Sequence, residues 1–221
     1  MRILDQSIHG IIFDLDGVLV DTAGLHRISW EQVCRMYGLV YTSACIELTK
    51  GVNRMQSLVN ILVENRAVDN FSEDDLQIMC KLKNQIYLDL LESCGSDILT
   101  EDAIPLLEFF KNNGVKIGLA SSSKNGELIL KKLELERYFD GIITGNDISN
   151  AKPHPEAYNK CLLKIHCHGN NCIAVEDAYS GISSARQAGI HTIYIGTDEN
   201  ACQLAEASFV SLHDAFFTIF K

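Results

Sequence analysis

Short, almost purely apolar runs alternate along this chain with longer amphipathic stretches, and that alternation constrains the fold more than any other feature. "GIIFD" from Gly10, "VKIGLASS" from Val115, "GIITG" from Gly141, "NCIAVED" from Asn171 and "HTIYIG" from His191 each hold a few β-branched or aliphatic residues bounded by Gly, Asn or Asp. That is the pattern of strands buried on both faces. Between the later runs lie "AIPLLEFFKNNG", "KNGELILKKLELERYF", "PEAYNKCLLKI" and "SGISSARQAG", whose apolar residues recur at helical steps of three and four. Helix stops stand at Asn113-Gly114, at Gly189 and at Phe139-Asp140-Gly141. The alternation predicts an α/β fold: a doubly wound, Rossmann-like parallel sheet with helices on both faces.

One region breaks the rule. From about Val20 to Ser93 the chain reads as helix throughout, in "HRISWEQVCRMYG", "SLVNILVENRA" and "SEDDLQIMCKLKNQIYLDLLES", with no convincing strand. The expected organisation is therefore a core from residues 1–19 and 94–221, carrying an inserted all-helical cap over residues 20–93. A chain of 221 residues, 47% of them hydrophobic, has enough apolar material for such a core. The eight cysteines are scattered singly, which fits a reducing compartment better than a disulfide scaffold. "MRILDQSIHG" has polar and acidic residues where a secretion leader needs an apolar run, and no uncharged stretch reaches the roughly 18 residues of a membrane span. A cytoplasmic monomer is the expectation. The net charge of −10 argues against nucleic acid or an anionic membrane as partner, so an anionic small molecule would need a few local cations.

In open α/β sheets the ligand lies beyond the carboxyl ends of the strands. The polar residues expected there are Asp14 and Asp16 after the first strand, Ser121 to Asn125 after the second, Lys152 after the third, and Glu176-Asp177 after the fourth. Carboxylates at the end of a buried strand need water or a cation. Four of them converging with a lysine and a hydroxyl suit a hard divalent ion with oxygen ligands, beside a phosphate.

These motifs, "DLDGV" at Asp14, Ser121 in "LASSS", Lys152 in "AKPHP" and "VEDAYSG" at Glu176, resemble the haloacid dehalogenase superfamily of phosphotransferases over nearly the whole chain. "DGVLVDTAGLHRISW", "LTKGVNRMQSL", "KLKNQIY" and "LASSSKNGELIL" are similar to the β-phosphoglucomutase branch; sugar-phosphate phosphatases share much of the frame. The resemblance implies that Asp14 is the nucleophile and Asp16 the general acid and base. It implies that Ser121 and Lys152 hold the transferring phosphoryl group, and that Asp14, Asp16 through its carbonyl, Glu176 and Asp177 ligate Mg²⁺. In the cap it implies a hinge at Thr22 and a relay of Asp21, His26 and Lys83 that senses substrate. It also implies a specificity loop with Lys50, Gly51 and Arg54, and a site for a second phosphate built from Arg54 with Ser123, Lys124 and Asn125. The expected substrate is a sugar phosphate. Two readings stand beside the mutase: a phosphatase, and a phosphosugar-binding protein without activity.

Two positions depart from the pattern. "LTEDA" stands where relatives often have Pro-Gly, and Ala178 where the mutase often has serine. Trp30 reads as cap core. "CLLKIHCHGNNC" offers Cys161, His166, Cys167, His168 and Cys172, but lacks a paired C-x-x-C knuckle, and packing cysteines with two loop histidines is the better account.

Overall fold

The computed structural model describes residues 8–220; residues 1–7, within the expected first piece of the core and most of the stretch read for a leader, lie outside the described residues. Six parallel strands form one sheet: β1 (Gly10–Phe13), β2 (Lys116–Ala120), β3 (Gly141–Ile143), β4 (Cys172–Glu176), β5 (His191–Ile195) and β6 (Ala207–Phe209), in the order β3-β2-β1-β4-β5-β6. Winding runs outward from β1 to β3, then restarts on the other side of β1 with β4. The switch point of the sheet thus falls between β1 and β4, the place where such sheets bind ligands. Phe13 pairs with Leu119 on one side and Val175 on the other, so Asp14, Ser121 and Glu176 emerge together at the carboxyl edge. Ile11, Ile12 and Phe13 are fully buried, as a central strand covered on both faces requires.

The chain separates into two compact units, Met1–Asp21 with Leu99–Lys221, and Thr22–Ile98. In the sheet unit, Val20 and Leu99 form an antiparallel bridge. Thr100 adds a backbone bond to the Leu19 carbonyl and a hydroxyl bond of 2.6 Å to the Val18 carbonyl. These bonds tie the strand-to-insert exit to the return segment.

The Thr22–Ile98 unit is all helical: α1 (Ala23–Met36), α2 (Ser43–Thr49), α3 (Arg54–Glu64) and α4 (Glu73–Ser93), with tighter turns at Val68–Asn70 and Ser96–Ile98. Its starts follow local chemistry. Thr42 and Asn53 cap α2 and α3, while Ser72 and Asp75 form a reciprocal capping box on α4. Trp30, Val33, Leu58, Ile61, Leu62 and Met79 pack into a core of the unit's own, so Trp30 is a core residue.

Around the sheet lie α5 (Ala103–Asn112), α6 (Gly126–Lys132), α7 (Glu156–Lys164), α8 (Tyr179–Gln187) and two short helices, α9 (Glu199–Leu204) and α10 (Leu212–Ala215). The stretch from Lys124 to Phe139, one amphipathic pattern in sequence, is broken. After α6, Glu134 turns into the left-handed region at φ 54°, and only a single turn follows at Glu136–Tyr138. The sequence reading also missed β6, whose three residues leave Ser208 exposed and carry no apolar run.

Candidate active site

Asp14 follows the last residue of β1, and its amide donates to the Val175 carbonyl at 3.0 Å, which continues the β1–β4 ladder one step further. The chain then turns sharply at Gly17, where φ is +86°. A Cβ at Gly17 would overlap the Asp177 carboxylate, and one at Gly181, in the first turns of α8, would overlap the Glu176 carboxylate. The glycines of "DLDG" and "AYSG" are therefore the space in which two acidic side chains fit.

At the centre is one buried ammonium. Lys152 Nζ donates to Asp14 Oδ1 and to Glu176 Oε1, each at 2.5 Å, and its side chain is 1% exposed. Tyr158 of α7, also fully buried, donates its hydroxyl to the same Glu176 oxygen at 2.6 Å, and its ring centroid lies 5.3 Å from Lys152 Nζ. Asp14, Glu176 and Asp177 each present an oxygen, all within 4.8 Å of one another. One lysine does not balance three carboxylates. Burial lifts Asp14 well above the ordinary carboxylate range; Glu176, Asp177 and Asp16 push the same way, against Lys152. Burial alone would lower the Lys152 ammonium, but Asp14 and Glu176 more than offset it and hold it above its ordinary value. A hard divalent cation fits this all-oxygen, under-neutralised cluster.

Ser121, just past β2, donates its amide to the Ile143 carbonyl, and its Oγ accepts the Ser123 amide at 3.0 Å. That acceptance aims its hydroxyl hydrogen elsewhere, available to an incoming oxygen. Ser123 and Asn125 lie in the same tight loop, where Ser123 Oγ accepts the Asn125 amide; Lys124 is exposed. A cleft of about 240 Å³ opens beside the Gly17 turn, bordered by Val18, Asp21, Thr100, Ile195 and His213.

In the helical unit, Lys83 Nζ and His26 Nδ1 are hydrogen-bonded at 2.8 Å, across α4 and α1. Lys83 is buried, 4.6 Å from the Tyr87 ring centroid and 5.6 Å from that of Trp30, and the His26 ring lies against Tyr87 at a tilt of 42°. An ammonium against an imidazole nitrogen requires that nitrogen to be the acceptor, so the proton of a neutral His26 sits on Nε2. Arg54, the first residue of α3, donates to Asn84 Oδ1 at 2.6 Å, and burial lowers its guanidinium from the usual value. Thr22 is fully buried ahead of α1; Lys50 ends α2, and Gly51 takes a left-handed turn at φ +65°.

Among the candidates, the structure thus groups Asp14, Lys152, Glu176 and Asp177 at one strand edge with Ser121 nearby, and joins His26 to Lys83 in the helical unit. Sequence reasoning missed Tyr158, which sits on a helix where its periodicity reads as packing, and did not single out Asn84 and Tyr87 within "KLKNQIY". Cys161 and Cys172 lie in the core under the sheet, with Cys167 packed against it.

A doubly wound sheet with a helical insert, and acidic groups clustered on a lysine at its switch point, defines a class of phosphoryl-handling α/β enzymes. The sequence profile of the haloacid dehalogenase-like hydrolases matches residues 11–195, and the chain belongs to that family. It is 33% identical over 190 residues to a β-phosphoglucomutase of Bacillus subtilis, covering 84% of this chain and 82% of that one. It is 31% identical over 206 residues to a phosphorylated carbohydrates phosphatase of Thermotoga maritima, covering 91% and 92%. A crystal structure of β-phosphoglucomutase from Clostridium difficile superposes with a TM-score of 0.88 at 33% identity, over 94% of this chain and 92% of that one. Among the described residues no helix is long and apolar enough to cross a membrane.

Proposed function

We propose that this protein is a Mg²⁺-dependent phosphotransferase of the β-phosphoglucomutase type, which interconverts β-glucose 1-phosphate and glucose 6-phosphate through a sugar bisphosphate. The observation that carries the reading is Asp14 at the end of β1, held by Lys152 beside Glu176 and Asp177. A carboxylate fixed at the end of a rigid strand suits nucleophilic attack on phosphorus, with formation of an aspartyl phosphate as the ester bond breaks. Asp16, two residues on, gives its proton to the departing sugar oxygen and takes one back from the attacking hydroxyl in the return step. Lys152 has three N–H donors; two are engaged by Asp14 and Glu176, which leaves one for a phosphoryl oxygen, and Ser121 supplies another donor. Asp14, the Asp16 carbonyl, Glu176 and Asp177 would hold Mg²⁺, which neutralises charge between an anionic nucleophile and an anionic phosphate.

For the second phosphate we assign Arg54, with Lys50 and Gly51, and Ser123, Lys124 and Asn125. Asn84 steadies Arg54, whose planar fork suits a phosphate better than a lysine does. Thr22 is assigned to a hinge, and Asp21, His26 and Lys83 to substrate sensing. Eight free thiols support a reducing, cytoplasmic setting, and the protein is assigned as a monomer there. The phosphatase relative supports a second reading, in which water takes the phosphoryl group from Asp14.

The test supplies β-glucose 1-phosphate, Mg²⁺ and a trace of bisphosphate to the wild type and to Asp14→Asn. The expected outcome is glucose 6-phosphate forming faster than free phosphate, with both lost in the variant. Free phosphate as the main product establishes the phosphatase; undiminished turnover by Asp14→Asn removes the mechanism altogether.

A further inference from the structure

The stretch from Cys161 to Cys172 takes no part in the site at the carboxyl edge, yet it brings two thiols together at the opposite end of the sheet. Cys172 opens β4 and is fully buried; Cys167, in the turn after α7, is partly exposed. Cys172 lies beside Cys167, near enough for each thiol to influence the other. The Cys167 thiol donates to the Ile165 carbonyl at 3.6 Å. Gly10 of β1 leaves room for the pair: a Cβ there would lie 2.8 Å from the Cys172 sulfur and 3.2 Å from that of Cys167. Cys167 is also the member that solvent reaches, whereas Cys172 is buried, so a small oxidant meets Cys167 first.

We infer that Cys167 and Cys172 are a peroxide-oxidisable pair that closes to an intramolecular disulfide, with Cys167 reacting first and Cys172 resolving. In the first step the Cys167 thiolate attacks one oxygen of a hydroperoxide. The O–O bond breaks, sulfur is oxidised to a sulfenic acid, and water (or the alcohol) leaves after protonation. In the second the Cys172 sulfur attacks the Cys167 sulfur, the S–O bond breaks, and the Cys172 proton leaves with the hydroxyl as water. Two thiols and one hydrogen peroxide thus give one disulfide and two waters. Burial pushes the Cys172 thiol up to about 12 and shields it from the oxidant, so it reacts only once the Cys167 sulfenic acid stands beside it. A thiol or dithiol reductant reverses the bond by exchange. The bridge would link the end of α7 to the start of β4, two elements whose other parts carry Tyr158 and Glu176.

The purified full chain is treated with a small excess of hydrogen peroxide; remaining thiols are alkylated, and the protein is mass-measured intact and mapped after non-reducing digestion. Before alkylation the expected product is two hydrogens lighter than the reduced chain and returns to the starting mass with dithiothreitol; after alkylation its digest contains a Cys167–Cys172 cross-link. Cys172→Ala, chosen so that no hydroxyl is buried in place of the thiol, should stop at a Cys167 sulfenic acid that dimedone captures. Cys167→Ser should leave Cys172 reduced under the same dose. The inference is overturned if wild-type Cys167 keeps its sulfenic acid without cross-linking, if the bridge joins another pair such as Cys161 and Cys172, or if Cys172 is oxidised first in Cys167→Ser. The wild-type map decides the matter even if either variant fails to fold.

Discussion

At the residue scale, the acidic centre depends on a tyrosine that the sequence does not advertise. Asp14, Asp16, Glu176 and Asp177 are legible because polar residues directly after apolar runs have no packing explanation, and Lys152 through the "AKPHP" motif that carries it. Tyr158, by contrast, sits on the same helical face as Cys161 and Leu162 and looks like one more core aromatic. Only the fold shows its hydroxyl on Glu176 and its ring near Lys152. Removing that hydroxyl leaves a buried carboxylate oxygen with one donor fewer. Tyr158→Phe should therefore lose about 1.5–3 kcal/mol of stability, the range for a hydrogen bond to a charged group. Urea unfolding should show a lower midpoint at unchanged slope, because the ring still fills its space. An unchanged midpoint would mean that Lys152 alone satisfies Glu176.

At the element scale, five strands were readable because buried parallel strands are continuous apolar runs, whereas β6 pairs only with β5 and carries no such run. The break after α6 was not readable either. Its left-handed residue is Glu134, not a glycine, and tertiary packing of Leu135 and Tyr138 overrides local preference there. The start of α7 carries a prediction. Glu156 accepts the Ser149 and Asn150 amides, the Asn150 side chain and Lys160, so it fastens the loop leading to Lys152 onto the helix. These donors, Lys160 first, hold its carboxyl down at about 2 against an ordinary 4.5. Between those values the folded chain binds fewer protons at Glu156 than the unfolded one, so stability rises with pH across the window. The contribution is present above 4.5 and disappears as pH falls through about 2. Glu156→Gln should flatten this part of the stability profile, measured as thermal midpoint against pH. Superimposable profiles would show that the loop bonds are not coupled to folding.

At the scale of the whole molecule, the two units divide the labour of stability. Thr22–Ile98 buries its own core around Trp30 and Leu58, without a carboxylate cluster among its described residues. The sheet unit, in contrast, concentrates Asp14, Glu176 and Asp177 at its switch point with a single lysine against them. Like charges held this close store repulsion that a bound cation relieves only in the folded state, since unfolding scatters residues far apart in sequence. Mg²⁺ should therefore stabilise the sheet unit. At a concentration of 100 times its dissociation constant the gain is about 2.7 kcal/mol for one site. Calorimetry in chelator and in excess Mg²⁺ should show this as a raised midpoint. If the units melt as separate transitions, the shift should be confined to the one that also responds to Tyr158→Phe. Asp177→Asn, which removes one ligand charge and leaves Lys152 on Asp14 and Glu176, should reduce the Mg²⁺ shift. Equal midpoints with and without Mg²⁺ in the wild type would show that the three carboxylates do not form a cation site, and that Lys152 alone balances them.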